Sequence, residues 1–148
     1  MILLPETIRQ LNILTPCLEK YKVNGVSGGL SHCGYDIAVN QSVTIAPGGF
    51  VLASSVELFT MPRHIVGTQH DKSSWARRGI ATQATVLEPG WEGWLTIEIS
   101  NHGPEVVTIP IGTPIAQILF HRIEGMADGY QGKYQKQANN PVGFIYEH

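Results

Sequence analysis

Charge is scarce in this chain. Only 15% of its 148 residues are charged, and 10 cationic against 12 acidic side chains leave a formal net charge of −2. A generic nucleic-acid binder needs a broad basic surface, so that class is excluded. A polyanionic ligand must instead be gripped by a local cluster of cations. Cysteine is scarcer still: Cys17 and Cys33 are too few for a disulfide scaffold and lack zinc-site spacing. They read as free thiols. No run approaches the ~18 apolar residues of a membrane span, and the opening MILLPETIRQL is too short and wrongly flanked for a signal peptide. A cytoplasmic protein is expected, or one made in a host's cytoplasm if the gene is viral.

What the chain does have is short alternating segments. A brief helix is expected over 5–12, with Pro5 acceptable in its first turn. A Gly-rich stretch follows over 25–34, read as loop at Gly28 and Gly29. Strands are expected at 35–40, 42–47, 50–55, 56–62, 64–69, 80–87, 94–100, 105–111 and 114–123, with Gly and Pro in the gaps. Many short strands with such turn signals predict an all-β sandwich or barrel. One domain over 1–148 is expected, since no repeat or linker is visible and the length suits a single core. From Gly125 onward the periodicity weakens. Tyr130, Lys133, Tyr134 and Gln137 place stacking, a cation and an amide within eight residues. Residues 125–148 are therefore expected to be a flexible segment that closes over a ligand.

Two segments carry chemistry. KSSWARRG (72–79) gathers Lys72, Ser73, Ser74, Arg77 and Arg78 on one tight turn, a grouping suited to anions. In the strand of EPGWEGWLTIEISN (88–101), Leu95, Ile97 and Ile99 share one face and Trp94, Thr96, Glu98 and Ser100 the other. Taken alone, Glu98 reads as decoration of a wetted strand. The six histidines are scattered without ligand spacing, and Trp75 and Trp94 read as packing residues.

Taken in order, these segments resemble a known family, the dCTP deaminases and their trimeric dUTPase relatives. SHCGYDIAVN and IAPGGFVLASSVELFTMPRHIVG are similar to that family's Tyr-Asp strand and the stretch after it. KSSWARRGI is similar to its Arg-Ser-Ser-Leu-Ala-Arg motif, and EPGWEGWLTIEISN to its Asp-Pro-Gly turn and catalytic-glutamate strand. IPIGTPIAQILF resembles the late Ile-Xaa-Gln strand, and YQGKYQKQ the C-terminal closing segment. A short viral or phage-type member is suggested.

The resemblance implies a distorted, jelly-roll-like β-barrel of the dUTPase type with one or two short helices, assembled as a homotrimer with interfacial active sites. It implies a hydrolase converting dCTP to dUTP and ammonia without zinc, consistent with the lack of a His-Xaa-Glu…Pro-Cys-Xaa-Xaa-Cys pattern. Glu98 would be the base, aided by Ser73 and Arg77. Lys72, Ser74, Ala84, Glu88, Trp91, Thr96, Ile97, Gln117, Tyr130, Lys133 and Gln137 would contact substrate. Mg²⁺ would be held mainly through the phosphates, with no dedicated protein ligands. CTP, dUTP or a modified dCTP are alternative nucleotides; neither nucleic acid nor membrane is an expected partner.

The chain departs from the family pattern at Lys72 for Arg, Asp71 for Gly and Glu88 for Asp, and its 79–84 loop is about two residues short. Thr85 and Val86 match neither the deaminase-only nor the bifunctional pattern, which leaves triphosphate cleavage to dUMP and pyrophosphate open. Plain dUTPase chemistry and a non-catalytic nucleotide-binding regulator are the remaining readings.

Overall fold

Apolar residues at every second position can be buried only if strands stack face to face, and the chain folds accordingly. The computed structural model describes residues 1–147. Its elements in order are α1 (Pro5–Gln10), β1 (Leu14–Thr15), β2 (Tyr21–Val23), β3 (Val26–Leu30), β4 (Tyr35–Ala38), β5 (Val43–Ile45), β6 (Phe50–Thr60) and β7 (Ile65–Asp71). Then follow α2 (Ser73–Ala76), β8 (Ile80–Thr82), β9 (Val86–Leu87), β10 (Glu92–Asn101), β11 (Val107–Ile109) and β12 (Pro114–Arg122). This is an all-β architecture with two short helices.

One sheet runs β1-β6-β10-β8 and a second β2-β3-β4-β12-β7-β9, with β5 and β11 as a separate pair. The sheets curl around a core that includes Tyr35, Ile37, Phe59, Ile97, Ile99 and Phe120, all fully buried.

Several segments differ from the sequence reading, which expected neither β1 nor β2. Residues 50–55 and 56–62 form one strand, β6, because a bulge lets it continue past an irregular point. Trp94 pairs Leu58 and Thr96 pairs Ser54, so Ser55, Val56 and Glu57 lie opposite Leu95 alone. Ser55 Oγ accepts the Leu95 N–H at 2.9 Å and donates to the Glu57 carbonyl at 2.7 Å, which absorbs the irregularity. Conversely, the stretch 80–87 is two strands, because β8 pairs β10 in one sheet and β9 pairs β7 in the other. Finally, Gly28 and Gly29 lie inside β3 rather than in a loop. The turn joining β2 to β3 is Asn24-Gly25, with φ of 51° and 76°. Positive φ at both central residues is what a two-residue hairpin turn requires, and Asn-Gly is its strongest sequence signal.

Candidate active site

A cavity of about 490 Å³ opens beside β10, within the size range of small-molecule sites. Its polar wall is Thr96 and Glu98, with Glu88 at one side; Phe50 and Leu52 of β6 and Val86 of β9 supply apolar surface. Glu98 is half-buried, and burial pushes its carboxyl above the ordinary carboxylate range. Its Oε2 is a buried acceptor with no donor among the described residues. Such an orphan costs about 1–3 kcal/mol. A carboxylate raised in pKa and facing a sheltered cavity is suited to take a proton from a bound water.

The C-terminal stretch closes one side of this cavity. Gly93 and Gln137 form a parallel bridge, and the Trp91 indole N–H donates to the Tyr134 carbonyl at 2.7 Å. Gln135 spans the junction, accepting the Glu92 N–H at 2.7 Å and donating to the Gly90 and Tyr130 carbonyls at 3.0 and 2.8 Å. The Thr96 hydroxyl donates to Gln137 Oε1 at 3.2 Å and accepts the Val142 N–H at 3.0 Å. Gly93 makes the docking possible: at φ 143°, a Cβ there would lie 2.6 Å from the Gln137 nitrogen. Tyr130, Tyr134, Val142 and Phe144 complete the lining.

The cationic turn lies elsewhere. In α2, Trp75 is buried and its indole N–H donates to the Pro114 carbonyl at 2.7 Å, which pins the turn to β12. Ser73, Ser74 and Arg77 are exposed around it. Lys72 is paired with Asp36 at 2.8 Å, both side chains nearly buried. Gln117, whose strand position pairs with Asp36, donates to Ser31 Oγ at 3.1 Å. A second hollow of about 400 Å³ lies here, bordered by Ser31, His32, Asp36 and Lys72. None of Lys72, Ser73, Ser74 or Arg77 lines the Glu98 cavity. In the single chain the cationic turn and the Glu98 cavity are therefore separate surfaces.

The chain has similar proteins of known family. The dCTP deaminase-like family matches residues 32–123. The chain belongs to that family.

Among its relatives, the dCTP deaminase of Chlamydia muridarum is 41% identical over 111 residues, covering 72% of this chain and 58% of that protein. The dCTP deaminase of Chlamydia felis is 43% identical over 169 residues, covering 92% of this chain and 87% of its own length. In the first of these alignments the chain thus spans little more than half of its relative. Solved structures share the fold. The 2′-deoxycytidine 5′-triphosphate deaminase of Agrobacterium tumefaciens gives a TM-score of 0.67 at 17% identity, over 82% of this chain and 48% of that one. The EIAV dUTPase gives 0.57 at 18% identity, over 69% of this chain and 85% of that one.

Against the family pattern, six expected contact or catalytic residues converge on the Glu98 cavity: Glu88, Trp91, Thr96, Glu98, Tyr130 and Gln137. Ile97 is fully buried in the core beneath it. Ala84 is exposed in the 83–85 crossing and is not part of the lining. Lys133 sits at the tail, its ammonium 4.8 Å from the Phe144 ring centroid and 3.7 Å from Glu147. Asp71, which stands where the family pattern has Gly, accepts the Thr82 N–H at 2.7 Å and the Thr82 hydroxyl at 3.1 Å. Sequence reasoning missed Phe50, Leu52, Val142 and Phe144, whose apolar character gave no signal of a site. It also missed Asp36 as the partner of Lys72, although the Tyr-Asp motif contains it.

Proposed function

We propose that this protein hydrolyses the C4 amino group of dCTP, yielding dUTP and ammonia. The observation that carries the proposal is Glu98: a carboxyl with a raised pKa and one unpartnered buried oxygen on the wall of a tail-covered cavity. Glu98 takes a proton from water, the hydroxide adds to C4, and the carboxylic acid returns that proton to the departing amino group. Water and dCTP give dUTP and ammonia, so the step balances. Ser73 and the Ala84 carbonyl hold the water, and Arg77 stabilises charge and orients Glu98.

The separation of the half-sites gives this mechanism an assembly requirement. The α2 turn of one copy serves the Glu98 cavity of another, in a homotrimer. Exposed Phe50 and Val86 at the cavity rim, 57% and 52% accessible, supply apolar surface for that contact. Lys72, Ser74, Gln117 and Lys133 grip the phosphates, Glu88 and Trp91 the sugar, and Gln137 with the Thr96 and Ile97 backbone the base. Tyr130 packs over the nucleotide. Mg²⁺ suits the triphosphate. No three His, Cys, Asp or Glu residues converge among the described residues, and Asp36 is occupied by Lys72. The ion would be held mainly by phosphate oxygens and water, and would neutralise charge there.

Incubation with dCTP and Mg²⁺, with ammonia, dUTP, dUMP and pyrophosphate measured in parallel, tests the reading. Ammonia with accumulating dUTP is expected. Ammonia with dUMP and pyrophosphate would make the enzyme bifunctional, and absence of ammonia would end the deaminase reading.

A further inference from the structure

We propose that Gln69 is a positioning residue for the Glu98 site, its amide clamping the 83–85 crossing that separates β8 from β9. The proposal rests on the deaminase reading, because Thr85 of that crossing lines the Glu98 cavity. Residues 83–85 leave one sheet and enter the other, so their backbone groups fall outside both ladders. Gln69 of β7 meets them instead. Its backbone N–H donates to the Thr85 carbonyl at 3.1 Å, and its side-chain N–H donates to the Gln83 carbonyl at 2.8 Å.

The same residue reaches β10 on its other side, where the Gln83 N–H donates to the Glu98 carbonyl at 3.0 Å. One residue, through its two flanking peptide groups, thus links the Gln69 amide to the backbone of Glu98. Asp71, two residues along the same face of β7, holds Thr82 by two further hydrogen bonds. Gln69 is 2% exposed. Glutamine is seldom buried without a polar task. Gln69 Oε1 and Glu98 Oε2 are moreover the two buried side-chain atoms without a hydrogen-bond partner among the described residues. Unfilled acceptor capacity therefore lies on both sides of the crossing.

Gln69→Leu keeps volume and removes the amide; Gln69→Glu keeps shape and can donate to the Gln83 carbonyl only when protonated. Asp71 and Glu98 are the other carboxyls tied to this crossing. With dCTP, Q69L is expected to fold and lose about tenfold or more in turnover, chiefly in kcat. Q69E is expected to be impaired at neutral pH and to recover on acidification, which the parent does not do. Amide exchange at Gln83 should quicken in Q69L. Parental kcat, KM and Gln83 exchange in both variants would overturn the proposal. If Q69L does not fold, Q69E followed across pH decides it: recovery supports the clamp and a parental profile overturns it. If the parent itself releases no ammonia, the deaminase reading falls, and Gln83 exchange alone judges the clamp.

Discussion

At the scale of single residues, two glutamates whose pKa is raised by burial sit in opposite settings. Glu98 faces a cavity with its pKa raised by burial, the setting that the proposed base requires. Glu98→Gln is expected to lower dCTP turnover by about 10²–10⁴-fold, the range of general-base catalysis, while titration calorimetry still detects nucleotide binding. Near-parental turnover would remove it from the mechanism. Glu57 faces the core. It is 1% exposed, its Oε1 accepts the Ala38 N–H at 3.1 Å, and burial pushes its carboxyl up to about 7. Its folded-state pKa lies above the ordinary value, so the folded protein holds the proton more tightly than the unfolded chain. The resulting stability is complete below the ordinary carboxylate range, falls as pH rises, and is lost above about 7. Glu57→Gln should remove that dependence, worth on the order of 3 kcal/mol. Melting temperatures of parent and variant across that window check it: parallel curves would refute the assignment.

At the scale of elements, glycines decide where the tail lies. Gly93 has a positive φ and leaves no room for a Cβ against the Gln137 backbone. Gly90, at φ 81°, meets Gly129 in the same way. Gly93→Ala should therefore displace residues 130–147 from β10 while leaving the sheets paired. Limited proteolysis of that stretch should accelerate with little loss of barrel cooperativity; unchanged cleavage would show that the tail is held by its other bonds alone. The strands themselves were legible because their faces alternate, as in β10, where Leu95, Ile97 and Ile99 are buried. The break in 80–87 was not legible. Ile80 and Leu87 are both apolar, and nothing local says that they belong to different sheets.

At the scale of the whole molecule, the separation of the α2 turn from the Glu98 cavity sets the expectation. Glu98 lies at one cavity and Ser73 and Arg77 at another surface of the same chain. Glu98→Gln and Arg77→Ala proteins, each expected to be inactive, should regain partial turnover when mixed under conditions of subunit exchange. Sites pairing an intact turn with an intact glutamate then form across interfaces. Mixtures no more active than their parts would place both residues in one subunit's site and overturn the interfacial arrangement.

By itself, the sequence determined the strand-rich class, the brief helices and the position of Glu98 on a polar strand face. These follow from period-two alternation and turn chemistry, which act over a few residues. The ordered motifs also pointed to the dCTP deaminase-like family. Only the tertiary structure decided that Lys72 is paired with Asp36, that Asp71 turns to Thr82, and that Gln69 meets the 83–85 crossing. Each is a pairing between residues from 11 to 36 positions apart. A buried polar group takes whatever partner the packed strands bring to it, and no local pattern records which one that will be.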